Sequence, residues 1–308
     1  MKKITVIIIT YNQEQVIAQT LDSILCQKEW GLYRILIGDD CSKDKTWELL
    51  LQYKAKFPDI VVPYQNEHNI GIYANIENII TKRDVDSDLY IMTAGDDPLC
   101  DGFFESVQNV INNKDIDTDE KVGIYSDWKT VDPNGKERVY RQNRCLSGHP
   151  LWSLYIRGLI TSRSLCFSHS VIDEFTPVIK NAGLNLAESM FDSQTHRIIE
   201  KAYYLPQVTS IYRVDVGIST KLGKTDYLTK QHVIKWQYYL DNYITTKKDK
   251  YYAISQIELG LYYDAPTLKK FVKFSYYFIR GQFFDCFRLR SILIQFYLLL
   301  RVAITRQL

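Results

Sequence analysis

The stretch YIMTAGDDPLCDGFF, Tyr90 to Phe104, starts as an apolar run and stops abruptly at two adjacent aspartates, Asp96 and Asp97. A strand that runs into a protein interior and ends on two negative charges implies a use for those charges. The alternative is a turn, since Asp-Asp-Pro is good turn chemistry. The rest of the chain decides between these readings. Ile4–Ile9 is continuously apolar and β-branched, as a strand buried on both faces should be, and it ends at Thr10-Tyr11-Asn12. Arg34–Gly38 (RILIG) is a second such run and ends at Asp39-Asp40. Leu89–Thr93 is a third, followed by the aspartate pair. Polar residues therefore cluster wherever a strand finishes.

Between these runs lie helical stripes. Ile17, Leu21, Ile24 and Leu25 fall on one face, with Asn12 as the expected helix cap and Gln15 answering it. Trp47, Leu50 and Leu51 start a second stripe, and Tyr73–Ile80 reads as a third helix. Val61–Gln65 reads as a short strand whose Pro63 argues for a sheet edge, and Val122–Ser126 as a further strand. The alternation predicts an α/β fold with a mostly parallel sheet and helices on both faces. In such a sheet the carboxyl ends of the strands share one edge, where ligands bind. Three separate stretches then converge on one site.

Bulk properties limit the alternatives. The chain has 308 residues, enough for two domains, and its 46% hydrophobic, 24% charged composition is that of a folded protein. Residues 1–225 carry 25 Lys/Arg against 30 Asp/Glu, whereas residues 226–308 carry 13 against 6. That basic C-terminal part also holds 19 of the 41 aromatic residues and loses the strand signals, so the boundary falls at 1–223 and 224–308. Basic and aromatic residues interleave over 270–308. This suits a membrane interface, or a helical hairpin packed on the protein or in a homodimer. The six cysteines are scattered, with no C-x-x-C pair, which fits a reducing cytosol and no zinc site. No nucleic-acid module is present. The sequence has neither a G-x-x-x-x-G-K-[ST] loop nor a G-x-G-x-x-G loop to cradle phosphate. Paired carboxylates would instead hold a hard divalent cation, Mn²⁺ or Mg²⁺, that shares substrate phosphates.

ITVIIITYNQE, RILIGDDCSKDKT, NIGIYANIENII and YIMTAGDD, in that order and spacing, resemble the family 2 glycosyltransferases of GT-A fold over about residues 1–220. The resemblance implies a nucleotide-sugar donor bound by Thr10, Tyr11, Asp39, Gly71, Asn75 and Asp96. Asp97 would be the direct metal ligand, with Asp96 close to ribose or metal. It implies an inverting transfer to a glycan or lipid-linked glycan in surface polysaccharide synthesis, at the cytoplasmic face of a bacterial membrane. The catalytic base should lie in LAESMFDSQTHRIIEKAYYLPQVTSIYRVD. Asp192 has the expected spacing before a helix, the Leu205–Tyr212 strand and the Tyr212-Arg213 pair, and Glu188 is the second choice. The sequence departs from the family pattern twice. Ala94 stands where an additional Asp is common, and Asp215 stands where a His often reaches the metal or diphosphate. Asp215 could itself supply a metal oxygen. Two rival readings share the fold: a nucleotidyltransferase that makes a nucleotide-sugar, and a non-catalytic carbohydrate- or lipid-binding scaffold.

Overall fold

The structure is a computed structural model that describes residues 1–83, 85–142, 151–156, 160–175, 187–214, 226–264 and 267–282. The chain divides into two compact units, Met1–Lys221 and Leu222–Leu308. The expectations placed on Asp215, on the segment around it and on residues 283–308 lie outside the described residues.

The first unit is built on one mixed sheet. Its strands are β1 (Ile4–Thr10), β2 (Leu32–Asp39), β3 (Val61–Gln65), β4 (Leu89–Ala94), β5 (Val122–Val131), β6 (Glu137–Tyr140), β7 (Leu165–Ser168) and β8 (Lys201–Arg213). The order is β3-β2-β1-β4-β7-β5-β6, and β8 pairs β5. β3, β2, β1 and β4 are mutually parallel, with Ile7 between Leu36 and Met92 in register. Pro63 sits on the terminal strand β3, where a missing N–H is tolerated. β7 is antiparallel to both β4 and β5, so β5 and β8 again run in the direction of β1. This reversed wedge had no signal in the sequence.

All seven residues of β1 are buried, because each face of the sheet is covered. Ile4, Val6 and Ile8 pack with Ile17, Leu21 and Ile24 of α1 (Ile17–Leu25) and with Phe103, Phe104 and Val107 of α4 (Phe103–Lys114). Ile7 and Ile9 face the other way, onto Ile76, Ile79 and Ile80 of α3 (Ile72–Ile80) and Phe191 of α7 (Ala187–Ile198). Each buried isoleucine contributes roughly 1.5–3 kcal/mol, so β1 is the fold's main anchor. In α2 (Thr46–Lys56) Leu50 is buried as expected, but Leu51 is exposed. α5 (Leu151–Ile156) and α6 (His169–Asp173) complete this unit.

The second unit holds α8 (Asp226–Asn242), α9 (Lys247–Asp264) and α10 (Leu268–Gln282), with α9 packed on both others. Trp236 meets Tyr239 and Tyr252 edge to face. At Gly281 a Cβ would stand 2.8 Å from the Tyr252 backbone nitrogen, so only glycine admits this helix approach. No described helix is long and apolar enough to cross a membrane.

Candidate functional site

The carboxyl ends of β1, β2 and β4 lie side by side, Thr10 opposite Asp39 and Ile9 opposite Ala94. The loops that leave them are laced together. Asn12 takes a left-handed backbone (φ 52°), donates from its N–H to Ser42 Oγ (2.9 Å), and accepts from Lys43 N at Oδ1 (2.7 Å). Its side chain therefore holds the neighbouring loop. The cap expected of it is not made: α1 starts at Ile17 without a side-chain cap. Gln13 N donates to Thr46 Oγ1, Glu14 N to Asp44 Oδ2, and Lys45 N back to Glu14 Oε2. These bonds give orphan loop N–H groups their partners and fix the strand ends rigidly.

Asp39 is fully buried, and its carboxylate accepts from Ser42 N, Ser42 Oγ and Gln65 Nε2. Those bonds use three of about four acceptor positions on a carboxylate, leaving one for a further donor. Asp40 does a different job. Its Oδ1 accepts from Asn66 Nδ2 (3.0 Å) and Ile70 N (2.8 Å), and its Oδ2 from Gly71 N (2.9 Å). The loop that carries Gly71 is thus latched to β2 by a buried charge. The open side of Gly71 faces space, since a Cβ there would meet nothing within 4 Å. Asn75 is buried beneath: Nδ2 donates to Gly38 O (2.7 Å) and Oδ1 accepts from Asn66 Nδ2 (3.0 Å). Its amide is turned to β2 and acts as a strut. Asp40 and Asn66 carried no assignment from the sequence. The doubled Asp39-Asp40 at a strand end was the available signal.

At the end of β4, Gly95 passes so close to α1 that a Cβ would lie 2.2 Å from Gln13 Oε1 and 2.8 Å from Ile17 Cδ1. Thr20 Oγ1 donates to its carbonyl (2.8 Å), and Thr10 Oγ1 donates to the same Gln13 oxygen (2.7 Å). The chain then turns. Asp96 is buried, while Asp97 is half-buried and accepts from Arg163 Nη1 at Oδ2 (2.7 Å). The segment that follows runs along β8, with Cys100 N on Thr209 O (2.8 Å) and Ile211 N on Pro98 O (3.0 Å). Tyr11 follows β1 and is half-buried.

Asp192 lies inside α7 and not before it as expected; it is half-buried, and its backbone carbonyl accepts from His196 Nδ1 (2.7 Å). Burial first, and the Asp192 charge second, push the Tyr125 phenol well above its ordinary pKa. Glu188 lies in the first turn of the same helix, and its side chain is outside the described residues. His196 is fully buried between the rings of Tyr155 (4.5 Å) and Tyr125 (5.7 Å). Burial lowers its pKa to about 4. It is a neutral core histidine.

Among the described residues no group of three or more His, Cys, Asp or Glu is arranged to hold a metal. The donor set still fits Mg²⁺ or Mn²⁺. Such ions take one or two protein carboxylates and complete their shell with phosphate oxygens and water. The Asp97 carboxylate already engages a cation, the Arg163 guanidinium, at the mouth of the laced loops.

Residues 5–156 match the sequence model of glycosyl transferase family 2. That match covers just under half of the chain. The protein Rv1520 of Mycobacterium tuberculosis, uncharacterised, is 31% identical over 77 residues, which are 25% of this chain and 22% of that protein. The match therefore spans about a fifth of this curated relative. Among solved structures, S. aureus TarS (residues 1–349) in complex with UDP-GlcNAc superposes with a TM-score of 0.59 at 15% identity, covering 91% of this chain and 81% of that one. The mannosyltransferase PcManGT of Pyrobaculum calidifontis, in complex with GDP-Man and Mn²⁺, gives 0.54 at 11% identity, covering 97% and 86%. At these identities the likeness shows the fold, which is GT-A.

Proposed function

We propose that this chain is an inverting, metal-dependent glycosyltransferase that moves a sugar from a nucleoside diphosphate donor, a UDP-sugar, to a glycan or lipid-linked glycan acceptor. The observation that carries the reading is the convergence of Asp39, the Asp40-latched Gly71 loop and the Asp96-Asp97 turn on one sheet edge. The carboxyl edge of an open α/β sheet is where ligands bind. The match to the glycosyl transferase family 2 model supports the same reading, as do the nucleotide-sugars bound by TarS and PcManGT.

In this reading Thr10, Tyr11, Asp39 and Gly71 border the nucleoside, and Asn75 holds the Gly71 loop at its height. Asp97, with Asp96 beside it, would hold Mn²⁺ or Mg²⁺. When bound, the ion supplies positive charge to the departing diphosphate. Asp192 takes the proton from the acceptor hydroxyl as that oxygen attacks the anomeric carbon and the bond to the diphosphate breaks. Glu188 is the alternative base. The surface polysaccharide setting is carried over from the family resemblance. A peripheral place on the inner membrane face rests on the basic, aromatic C-terminal region. In α10 the exposed Leu268, Val272, Tyr276 and Ile279 stand among Lys269, Lys270 and Arg280.

The test is thermal unfolding with UDP, GDP, dTDP and CMP, each with and without Mn²⁺. A ligand that binds only the folded state raises the midpoint. UDP with Mn²⁺ should stabilise the protein, and Asp97→Ala should abolish that shift. Stabilisation without turnover of any UDP-sugar would favour the scaffold. Pyrophosphate release from NTP and sugar phosphate would favour the nucleotidyltransferase.

A further inference from the structure

Arg163 had no role in the sequence reading, yet its guanidinium is the cation seated on Asp97. It lies on a three-residue turn, Ser162–Ser164, whose entry is pinned to β5. Gln142, almost fully buried, accepts from Thr161 N (2.8 Å), donates from Nε2 to Ser126 O (2.6 Å), and donates from its own N–H to Asp127 Oδ1 (2.9 Å). The guanidinium carbon stands 3.8 Å from the Tyr212 ring centroid and 5.6 Å from that of Trp128. Trp128 is itself stacked flat on Tyr140 (4.2 Å, 7°). Tyr212 and Trp128 come from the paired strands β8 and β5, and β8 also holds the Asp97 loop through Pro98 and Cys100. Both ends of the ion pair are thus tied to one rigid ribbon. A planar guanidinium can stack on an aromatic face and still offer its edge donors to an anion.

A divalent ion at Asp97 and a guanidinium on the same carboxylate oxygen compete, because two cations at that separation repel. The backbone at each end is pinned, so the exchange has to happen by a swing of the Arg163 side chain across the Tyr212 ring. We infer that a divalent cation displaces the Arg163 guanidinium from Asp97, and that the displaced guanidinium, kept on Tyr212, then engages the donor diphosphate. This inference rests on the reading of Asp97 as a metal ligand. Its consequence is coupling. Metal alone binds against Arg163, whereas metal with diphosphate binds with its help, and by linkage each raises the affinity for the other.

The experiment is Mn²⁺ binding followed by the loss of the free-ion EPR signal, with and without UDP, on the full chain. R163M should bind Mn²⁺ alone about tenfold more tightly than wild type, and UDP should improve its Mn²⁺ affinity far less than it does for wild type; tenfold corresponds to about 1.4 kcal/mol. R163K keeps a positive charge and should bind Mn²⁺ alone nearly as weakly as wild type, which separates charge competition from general damage to the fold. Unchanged or weaker Mn²⁺ binding by R163M, with R163K folded, overturns the inference and leaves Asp97 as a ligand. Wild-type Mn²⁺ affinity in D97A overturns both.

Discussion

The strut beneath the Gly71 loop gives a quantitative test of the site's architecture. Gly38 lies on β2 directly over Asn75, and a Cβ at Gly38 would stand 2.6 Å from Asn75 Oδ1 and 3.2 Å from its Cγ. The neighbour is not a flexible tip, because both ends of the amide are hydrogen-bonded, to Gly38 O and to Asn66. Gly38→Ala should therefore combine overpacking, about 1–3 kcal/mol, with the loss of those buried bonds, about 1–3 kcal/mol, for roughly 3 kcal/mol together. Asn75→Ala alone leaves the Gly38 carbonyl unpaired, at about 2 kcal/mol. In the double variant the two small side chains no longer collide, and the cost should stay near the roughly 2 kcal/mol of Asn75→Ala, whereas independent sites would add to about 5. Urea unfolding of the four proteins measures this cycle. Thermal unfolding should show Gly38→Ala lower by about 6–12 °C, given about 2–4 °C per kcal/mol for a unit of this size. Additivity to within about 0.5 kcal/mol would refute the strut, because non-contacting sites behave that way.

Two other outcomes follow from buried groups in the same unit. Asp40→Ala should remove the acceptor for Ile70 N and Gly71 N. It should abolish the thermal response to nucleotide even though Asp40 is placed behind the loop, and hydrogen exchange at Gly71 should rise by more than tenfold. His196 titrates near 4 when folded and near 6.5 when unfolded, so between those values the unfolded chain binds more protons. Stability is therefore intact above about pH 6.5 and falls as pH drops, by about 2–3 kcal/mol between pH 7 and pH 4.5. His196→Phe keeps an aromatic ring against Tyr155 and removes the proton site. Urea unfolding at the two pH values should show the loss reduced by that amount, with His232, also lowered to about 4, contributing equally to both proteins.

Much of this protein is written in local pattern. The apolar run of Ile4–Ile9 specified a strand buried on both faces, and alternation with helical stripes specified the parallel β3-β2-β1-β4 part of the sheet, because these depend on periods of a few residues. The polar strand ends marked where the site would form, since topology alone brings those ends to one edge. Pro63 marked an edge for the equally local reason that it lacks an N–H.

Pairing across long separations was not legible. The cap expected of Asn12 became a bridge to Lys43, thirty-one residues away, because the β2 loop offers its N–H groups at the right height. Asp39 and Asp40 look equivalent in sequence, but successive residues at a strand end point to opposite sides. One therefore meets Ser42 and Gln65 while the other latches Ile70 and Gly71. Asp97 and Arg163 are sixty-six residues apart and meet only because β7 inserts antiparallel between β4 and β5, carrying the Arg163 turn to the carboxyl edge. The sequence by itself determined the strands β1 to β5 and β8, though not β6 or β7, and that acidic side chains stand where β2 and β4 end. Tertiary structure decided which of those charges are struts and which are open to a ligand, because that depends on the neighbour each carboxylate meets across the sheet.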